Sequence, residues 1–583
     1  MSTADTNDQF IERPPRPSRW KTRSRDVIVG HASLAVGNPE LPLAEGWQWT
    51  LLADVAGMES GHTPSRNHPE WWDGQIPWIG ITDARQHNGG LIHETEQYTN
   101  QDGLDNSAAR LLPTGTVCIS RTASIGYVVQ MGRPMATSQD FVNWVPTRAI
   151  TSEWLRLVFG CGRATLAKFG KGSTHTTIYY PEWMSVHVAL PPVVEQHAIA
   201  AKVEALFSEL DAGVAQLEVA QALLKRYRQS VLKAAFEGRL TAEWREQRRR
   251  EAEAAGEELP TAEDLLKQIE AERQERAEQQ HAEWRRAVEA WEAAGGKDSG
   301  EKKPRRPARP KDPPPLTEAE LESLPDLPEG WAWTRADMLV AADRPICYGI
   351  LMPKDNVDDG VLYVKVRDMR GDRINVDALQ RTAPEIAKQY ERASLVEGDV
   401  LLAIRGTYGR VALVPPALEG GNITQDTARL TITRLVNRDF CAWALRAPEC
   451  QNFFKRVARG VAVKGINIGD VRLCPMPLCS DEEQAEIVRK VESRLSVIDD
   501  IEHTTVTALA EAKALRQSIL KRAFEGRLLD QAELEAVRSH SDYEPVERLL
   551  ERIREQASAQ KPTKKKATRK KRGSRRQAAE VGE

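Results

Sequence analysis

Apolar residues recur at every seventh position in two long stretches of the chain. In the first stretch, Glu195 to Phe236, one heptad position holds Val203, Leu210, Leu217, Leu224 and Val231, and another holds Leu206, Ala220 and Tyr227. In the second, Asp481 to Phe524, the seam holds Val491, Ile498, Leu515 and Ile519, with weaker residues at Thr505 and Ala512. This period predicts two coiled-coil helices of about 40 residues, each about 60 Å long at 1.5 Å per residue. Gly238 and Gly526 follow as helix-ending glycines.

The ends of these two helices are copies of one another. Residues 228–240 read RQSVLKAAFEGRL and residues 516–528 read RQSILKRAFEGRL, so eleven of thirteen positions agree at a separation of 288 residues. The segment EGWQWT at 45–50 returns as EGWAWT at 329–334. The sequence between these anchors hardly repeats. An internal repeat of this kind predicts two different modules carried on one duplicated frame.

The remaining patterns divide the chain into modules and linkers. Short apolar runs broken by Gly, Pro, Asn and Asp fill 41–190 and 327–476 and predict short strands and loops, with a helical piece at 152–168. Residues 241–300 are rich in Glu, Arg, Gln and Ala and predict solvated helix, whereas 301–316 is a Pro-rich basic linker. Residues 561–576 hold ten basic residues and no acidic one.

Composition narrows the class of protein. The length of 583 residues predicts several domains. With 81 Lys and Arg against 84 Asp and Glu, the net charge neither requires nor excludes a polyanionic partner, so the distribution of charge has to decide. No apolar run approaches the ~20 residues of a membrane span, and no secretory signal is visible. The seven cysteines are scattered without a CxxC pair, so we expect a reduced, cytoplasmic protein with no metal site.

No catalytic motif is convincing. The chain lacks a GxxxxGK[ST] loop, a dinucleotide or S-adenosylmethionine fingerprint, GxSxG and HExxH, so we expect no catalytic residue and a protein that binds. The duplicated helix ends have two readings. They are packed termini whose basic residues complement the helix dipole, or they are docking surfaces for two copies of one partner. The candidate docking residues are Phe236, Glu237, Arg239, Phe524, Glu525 and Arg527.

A set of motifs then resembles a known family. The residues SGHTPS at 60–65, followed by WDGQIPWI at 72–79, are similar to the opening SGGTPS…YWxGxIPWI of specificity (S) subunits of type I restriction–modification systems. Gly61-His62 departs from the commoner Gly-Gly pair. GDVLLA at 398–403 with RGT at 405–407 resembles a second element, and the first module's version at 114–126 is looser. PPxxEQ at 191–196, EEQ at 482–484 and the repeated FEGRL complete the resemblance, which spans nearly the whole chain.

The resemblance implies an α+β fold: two mixed α/β target-recognition domains joined by two long antiparallel coiled-coil helices, with a pseudo-twofold internal repeat. Each domain would read one half of a bipartite double-stranded DNA target, and the helices would set the spacer. Two methyltransferase (M) subunits and the restriction (R) subunits would supply catalysis with S-adenosylmethionine, ATP and Mg, so this chain would hold no cofactor. We expect an arm at 1–26, recognition domains at 27–190 and 324–476, long helices at 191–240 and 477–528, a charged insertion with linker at 241–323, and a short helix with basic tail at 529–583.

Candidate DNA-binding residues come from basic and hydroxyl-rich loops, since phosphates need cations and base edges need polar groups. In the first module they are Arg121, Thr122, Ser124, Lys168, Lys171, Thr174, His175 and Thr176. In the second they are Arg405, Thr407, Tyr408, Arg410, Arg456, Arg459, Lys464 and Asn467. The alternative is that these are ordinary solvated loops. The basic tail either adds non-specific DNA affinity or only solubility.

Two other classes of function remain open at this point. The first is a stand-alone DNA-binding protein or nuclease with a carboxylate–metal site that a single sequence does not reveal. The second is a coiled-coil scaffold that binds only proteins. Cleavage of DNA by the chain alone would favour the first, and a lack of sequence-dependent DNA retention would favour the second.

Overall fold

The computed structural model describes residues 28–29, 34–122, 124–161, 166–170, 176–295, 302–307, 312–371, 373–461 and 463–559. The expected arm at 1–26 and the basic tail at 561–576 lie outside these residues. The chain divides into two compact units: unit 1 comprises Met1–Gln216 and Ala508–Glu583, and unit 2 comprises Leu217–Thr507. Each long helix therefore contributes one part to each unit.

Unit 1 combines short strands with mostly short helices. Its strands are Ile28–Val29, Leu34–Val36, Gln48–Leu51, Ala56–Ser60, Ile76–Ile79, Leu91–Ile92, Gln97–Thr99, Val117–Ser120, Val128–Met131, Ala136–Thr137, Phe141–Pro146 and Val186–Leu190. Its α-helices are Leu52–Val55, Ile81–Gln86, Gln101–Asp105, Ser152–Gly160, Tyr180–Trp183, Gln531–Arg538 and Val546–Ala559, with 3₁₀ turns at Pro69–Trp72 and Ala167–Phe169. The first long helix, Val193–Phe236, begins here, and the second, Asp481–Phe524, ends here.

Unit 2 has the same mixed composition. Its strands are Ala332–Arg335, Cys347–Tyr348, Val361–Val364, Met369–Arg370, Arg373–Ile374, Gln380–Thr382, Val400–Ala403, Val411–Leu413, Asn422–Ile423, Thr427–Leu430 and Pro475–Leu478. Its α-helices are Ala242–Ala255, Ala262–Ala293, Glu318–Glu322, Pro384–Gln389, Arg438–Arg446, Pro448–Val457 and Ile468–Arg472. 3₁₀ turns lie at Ala336–Leu339, Val366–Asp368, Val376–Ala378, Glu391–Ala393 and Pro416–Leu418.

The two units share a strand topology although their sequences differ. In unit 1 the main sheet runs in the order 56–60, 141–146, 117–120, 128–131, and 91–92 extends its edge. In unit 2 the corresponding order is 347–348, 427–430, 400–403, 411–413. Each unit also has a three-stranded sheet whose central strand, 76–79 or 361–364, pairs parallel with one neighbour and antiparallel with the other. The duplication therefore includes the modules as well as the frame.

The bounds of the two long helices agree with the heptad prediction, but two seam residues were assigned wrongly. Tyr227 is 49% exposed and Leu515 is 52% exposed. A straight α-helix drifts about 20° per heptad, which amounts to about 60° over the three heptads from Leu206 to Tyr227. After that drift the residue that follows Tyr227 lies closer to the seam than Tyr227 does.

Repeated arginines occupy the seam beside those two positions. In unit 2, Arg228 on the first long helix forms an ion pair with Asp499 on the second. In unit 1, Arg516 lies 2.5 Å from Asp211 and its guanidinium stacks 4.1 Å from the centre of the Phe207 ring. In both units a later part of one helix meets an earlier part of the other, so the helices pack antiparallel within each unit.

Each unit's core includes the C-terminal end of a long helix. Leu520 and Phe524 belong to the core of unit 1, and Leu232 and Phe236 belong to the core of unit 2. The charged helices Val546–Ala559 and Ala262–Ala293 add apolar residues in the same way, because Leu549 packs in unit 1 and Leu265 packs in unit 2. All seven cysteines are free and buried. Among the described residues, no helix is both long and apolar enough to span a membrane.

Candidate nucleic-acid interface

A tryptophan–glutamate hydrogen bond, buried in unit 1 and partly buried in unit 2, ties each module to a long helix. Trp47 Nε1 donates to Glu195 Oε1 at 2.9 Å in unit 1. Trp331 Nε1 donates to Glu483 Oε2 at 2.8 Å in unit 2. Burial raises the pKa of the Glu195 carboxyl, while the Trp47 hydrogen bond and the charge of Arg538 act in the opposite direction. These are the repeated EGWxWT and EQ motifs, so the duplicated residues meet at equivalent places.

The glutamine that follows each glutamate continues this connection. Gln196 Oε1 accepts a 2.8 Å hydrogen bond from the amide of Thr151, which caps the helix Ser152–Gly160. Gln484 Oε1 accepts a 2.9 Å bond from the amide of Asn437, which caps the helix Arg438–Arg446. Both glutamines are fully buried. The start of each long helix is thereby fixed to the helix behind the module's main sheet.

The two candidate DNA-binding segments of each module lie side by side. In unit 1, Thr122 pairs with Thr177, and the Ile178 amide donates to the Arg121 carbonyl at 3.0 Å. In unit 2, Arg405 pairs with Gly465 in the same antiparallel way. There the Ile466 amide donates to the Ile404 carbonyl at 2.7 Å. The structure therefore brings together segments that are 55 residues apart in unit 1 and 60 residues apart in unit 2, at equivalent places in both units.

In unit 1 the predicted residues differ in their availability. Lys168 and Thr176 are exposed, and Thr122 and Ser124 are half-buried. Arg121 Nε donates to the Gln139 carbonyl at 3.3 Å, and its guanidinium lies 4.9 Å from the centre of the Tyr180 ring. Lys171, Thr174 and His175 lie outside the described residues.

In unit 2 most of the predicted residues are exposed. The exposed ones are Arg405, Thr407, Arg456, Arg459, Lys464 and Asn467. Arg459 Nη2 lies 3.9 Å from Asp470 Oδ1. Tyr408 is half-buried against the core of the unit. Arg410 Nη1 donates to the Met369 carbonyl at 2.9 Å and to the Val366 carbonyl at 3.4 Å, so this guanidinium is held within the unit.

A concavity of about 620 Å³ in unit 2 gathers several arginines around one aspartate. It is lined by Val366, Arg367, Arg370, Arg405, Gly406, Thr407, Arg410, Asp426 and Val463. Sequence reasoning missed Arg367 and Arg370. Neither residue stands in a motif, and the sequence does not show that residues 366–370 and 405–410 lie close together.

A repeated Gln-Asp pair was also missed. The dipeptide occurs at 139–140 and again at 425–426, a separation of 286 residues. The Asp140 carbonyl accepts from the Arg121 amide at 2.7 Å, and the Asp426 carbonyl accepts from the Ile404 amide at 2.8 Å. The other repeated segments are 284 and 288 residues apart, so a search for short identical segments at similar separations would have found this pair. Each pair fixes the loop that carries the candidate residues.

Unit 1 has a smaller concavity, of about 370 Å³, beside its own Gln-Asp pair. Its charged lining residues are Arg66, Asp83, Glu96 and Asp140. The guanidinium of Arg66 stacks 3.6 Å from the centre of the Trp72 ring. The two modules therefore present different charges on a common topology.

The candidate docking residues separate into a buried and an exposed set. Phe236 packs at 5.3 Å from the ring of Phe440, and Phe524 packs at 5.2 Å from the ring of Trp154, so both phenylalanines belong to the cores of their own units. The surface at each helix end is formed by an ion pair with an exposed arginine. The pairs are Glu237 with Arg239 and Glu525 with Arg527.

The described residues contain no group of His, Cys, Asp and Glu side chains that could hold a metal ion. Burial raises the pKa of the thiols of Cys118, Cys161 and Cys441. No cofactor site is seen in the part of the chain that the structure describes.

Comparisons with known proteins agree with this architecture. The family model "Type I restriction modification DNA specificity domain" matches residues 44–218. The chain is 30% identical over 384 residues to the type I restriction enzyme EcoBI specificity subunit of Escherichia coli, and the alignment covers 66% of each protein. It is 27% identical over 545 residues to the EcoDI specificity subunit of Escherichia coli, covering 90% of this chain and 98% of that protein.

A solved structure shows the same fold. It is described as "Structural basis underlying complex assembly and conformational transition of the type I R-M system", and its chain matches with a TM-score of 0.54 and 17% identity. The match covers 84% of this chain and all (100%) of that one. The chain belongs to the family of specificity subunits of type I restriction–modification systems. It is a DNA specificity subunit and thus a non-catalytic component of such a system.

Proposed function

We propose that the chain reads a bipartite DNA sequence, with the module of unit 1 recognising one half-site and the module of unit 2 the other. The observation that carries this proposal is the paired placement of candidate loops. Thr122 meets Thr177 in unit 1, and Arg405 meets Gly465 in unit 2. Two modules of one topology but different charge suit two different half-sites, because base-edge patterns are distinguished by different donors and acceptors.

Methylation and cleavage are proposed to come from partner subunits. Two methyltransferase subunits would bring S-adenosylmethionine, and restriction subunits would bring ATP and Mg. The duplicated frame supports two copies of one partner, because each helix end presents a Glu–Arg ion pair of the same sequence. Substituting both exposed arginines, Arg239 and Arg527, should therefore weaken methyltransferase binding at two sites.

The decisive experiment exchanges one module at a time. The chain is co-expressed with its methyltransferase in a host that lacks adenine methylation, and modified adenines are mapped by single-molecule sequencing. Replacing residues 48–190 with those of another specificity subunit should change one half-site only. Replacing residues 332–478 should change the other. A single replacement that alters both half-sites, or a wild-type complex without a sequence-specific methylation pattern, would contradict the proposal.

The long helices are proposed to set the spacer between the half-sites. Each has 44 residues and continues from one unit into the other. Inserting one heptad after Gln216 and one after Thr507 lengthens both helices by about 10 Å at 1.5 Å per residue. The preferred spacer should then grow by about three base pairs, at 3.4 Å each, while both half-sites stay the same. A matched insertion within residues 302–307 of the linker should leave the spacer unchanged. Altered half-sites at a constant spacer would refute this role.

Incubating the purified chain alone with Mg²⁺ and duplex DNA tests the remaining alternatives. The proposal predicts neither cleavage nor methylation without partner subunits. A nuclease would cleave under these conditions. A scaffold that binds only proteins would show no sequence preference for DNA even with the methyltransferase present.

A further inference from the structure

The arginine concavity of unit 2 is built from separate segments of the chain. The 3₁₀ turn Val366–Asp368 and the strand Met369–Arg370 supply Arg367 and Arg370. The loop after the strand Val400–Ala403 supplies Arg405 and Arg410. Four arginines thus face a single lining carboxylate, that of Asp426. Such a concentration of positive charge attracts anions, because the fields of neighbouring like charges add in a concave site.

The charge within this concavity is only weakly neutralised by its own carboxylate. Arg405 Nη1 lies 3.8 Å from Asp426 Oδ1, too far for a hydrogen bond, and that oxygen is buried without a hydrogen-bond partner. Among the described residues, no ion pair is formed by Arg370. Arg367 is exposed, and its Nε lies 3.6 Å from Asp368. Three of the four guanidiniums are therefore available to a ligand.

A short hairpin fixes the position of Arg370. Arg370 belongs to the strand Met369–Arg370, which pairs with the strand Arg373–Ile374. Met369 and Ile374 anchor this hairpin in a small core.

Arg410 has a different position in this arrangement. Its Nη1 donates to the Val366 and Met369 carbonyls, which flank Arg367 and precede Arg370. It thereby links the loop that carries Arg405 to the turn that carries Arg367 and to the strand that carries Arg370. Arg410 acts as a positioning residue, because its Nη1 hydrogen bonds are made within the protein.

We propose that this concavity is a phosphate site of unit 2, in which Arg367, Arg370 and Arg405 bind phosphodiester groups of duplex DNA and Arg410 holds them in place. The proposal rests on the DNA-reading function proposed above. Phosphates are favoured over bases because convergent guanidiniums in a concave site suit compact anions, whereas base edges are reached by elements that enter a groove. The corresponding concavity of unit 1 has one arginine and three carboxylates, so the proposal is confined to unit 2.

The test measures the affinity of the assembled methyltransferase complex for its mapped target between about 50 and 200 mM salt. Each of the variants R367A, R370A and R405A should lower the slope of log K against log salt by about 0.9. Over this range of salt, the loss of affinity in each variant should therefore be about 3.5-fold smaller than the loss in the wild type. The matched control is R434A. Arg434 is an exposed arginine of the same unit, but it lies beyond the C-terminal end of strand Thr427–Leu430, whereas Asp426 immediately precedes this strand. R434A should leave the slope unchanged.

A second measurement separates phosphate binding from base reading. The ratio of affinities for the mapped target and for a target with one altered base pair in the unit 2 half-site should be the same in R370A and wild type. A ratio that falls at one position would show that Arg370 reads a base and would overturn the assignment. An unchanged salt slope in all three variants would also overturn it.

Arg410 is tested by charge-conserving replacement. R410K keeps the charge but cannot reproduce the guanidinium's contacts with both carbonyls, so the slope should fall as it does in R367A although no charge is lost. Circular dichroism and thermal melting check that the variant is folded. A wild-type slope in folded R410K would remove its positioning role.

Free phosphate is distinguished from DNA in the same assay. At equal ionic strength, inorganic phosphate should compete no better than chloride, because duplex DNA offers the three arginines several linked phosphodiester groups at once, whereas a free phosphate offers one. Saturable competition by inorganic phosphate would instead assign the site to a free anion. A wild-type complex that shows no sequence preference at all would contradict the proposed DNA-reading function itself. This outcome is distinguishable from a failure of the phosphate site alone.

Discussion

The two buried glutamines at the starts of the long helices give a prediction with a built-in comparison. Gln196 accepts from the Thr151 amide and donates to the Ala149 and Pro191 carbonyls, at 2.8, 3.0 and 2.8 Å. Gln484 accepts from an amide at 2.9 Å and donates to one carbonyl at 2.9 Å. The substitution Q196A therefore leaves three backbone groups without partners, and Q484A leaves two.

The expected loss follows from these numbers of bonds. A buried polar group left without a partner costs about 1–3 kcal/mol, and water that enters the vacated space reduces the cost. We expect a loss of about 3–5 kcal/mol for Q196A and about 2–3 kcal/mol for Q484A. Methionine fills nearly the same volume without donors, so Q196M should lose about as much as Q196A.

Native-state hydrogen exchange measures each unit separately. Exchange of the Thr151 amide should accelerate in Q196A and Q196M, and exchange of the Asn437 amide should accelerate in Q484A. Urea unfolding monitored in parallel gives the size of the loss. A wild-type stability in Q196M would show that packing, not hydrogen bonding, explains the buried glutamine. A larger loss in Q484A than in Q196A would refute the reasoning from bond numbers.

Three further predictions concern unit 1. A Cβ at Gly61 would lie 1.9 Å from the Ser138 carbonyl oxygen, so G61A should lower the melting temperature, and an unchanged value would contradict this close approach. Because burial raises the folded-state pKa of Glu195, stability from this group is present below its unfolded pKa and is lost as pH rises through the folded pKa. The urea midpoint of wild type should therefore fall relative to E195Q as pH rises above about 4.5, and a difference independent of pH would be against it. F524A should cost about 3–5 kcal/mol in urea unfolding, whereas R527A, at an exposed position, should cost little; equal effects would oppose the assigned burial.

The helices could be predicted closely because their signals are local. A heptad pattern and a following glycine predicted the second long helix with the bounds that the structure shows, Asp481–Phe524. The seam was less predictable, because the drift of a straight helix moved Tyr227 and Leu515 to the surface. Sheet order was not predictable, because it depends on pairs distant in sequence. Trp78, for example, pairs with Ala136 in a parallel ladder.

The candidate interface could be predicted by segment better than by residue. The basic loops at 121–124 and 405–410 were identified from composition, and the structure places each beside its second segment. Arg367 and Arg370 were missed because the sequence does not show which residues lie near an exposed arginine in the folded chain. Arg410 was predicted to bind DNA, but its guanidinium donates hydrogen bonds to carbonyls of its own unit. These DNA-contact assignments remain predictions.

The division of the long helices between the units has a consequence for synthesis. Unit 2 is one continuous segment, Leu217–Thr507, whereas the core of unit 1 joins residues from Leu34 to Val203 with residues from Ile519 to Leu550. On a ribosome, unit 2 can acquire its whole core while the start of unit 1 still lacks its closing helix end. The first part of the chain to emerge is therefore the last to be completed. The apolar residues of this N-terminal segment stay exposed until the end of the second long helix has been synthesised. We therefore expect chaperones to bind this segment, and slow or interrupted translation to cause its aggregation.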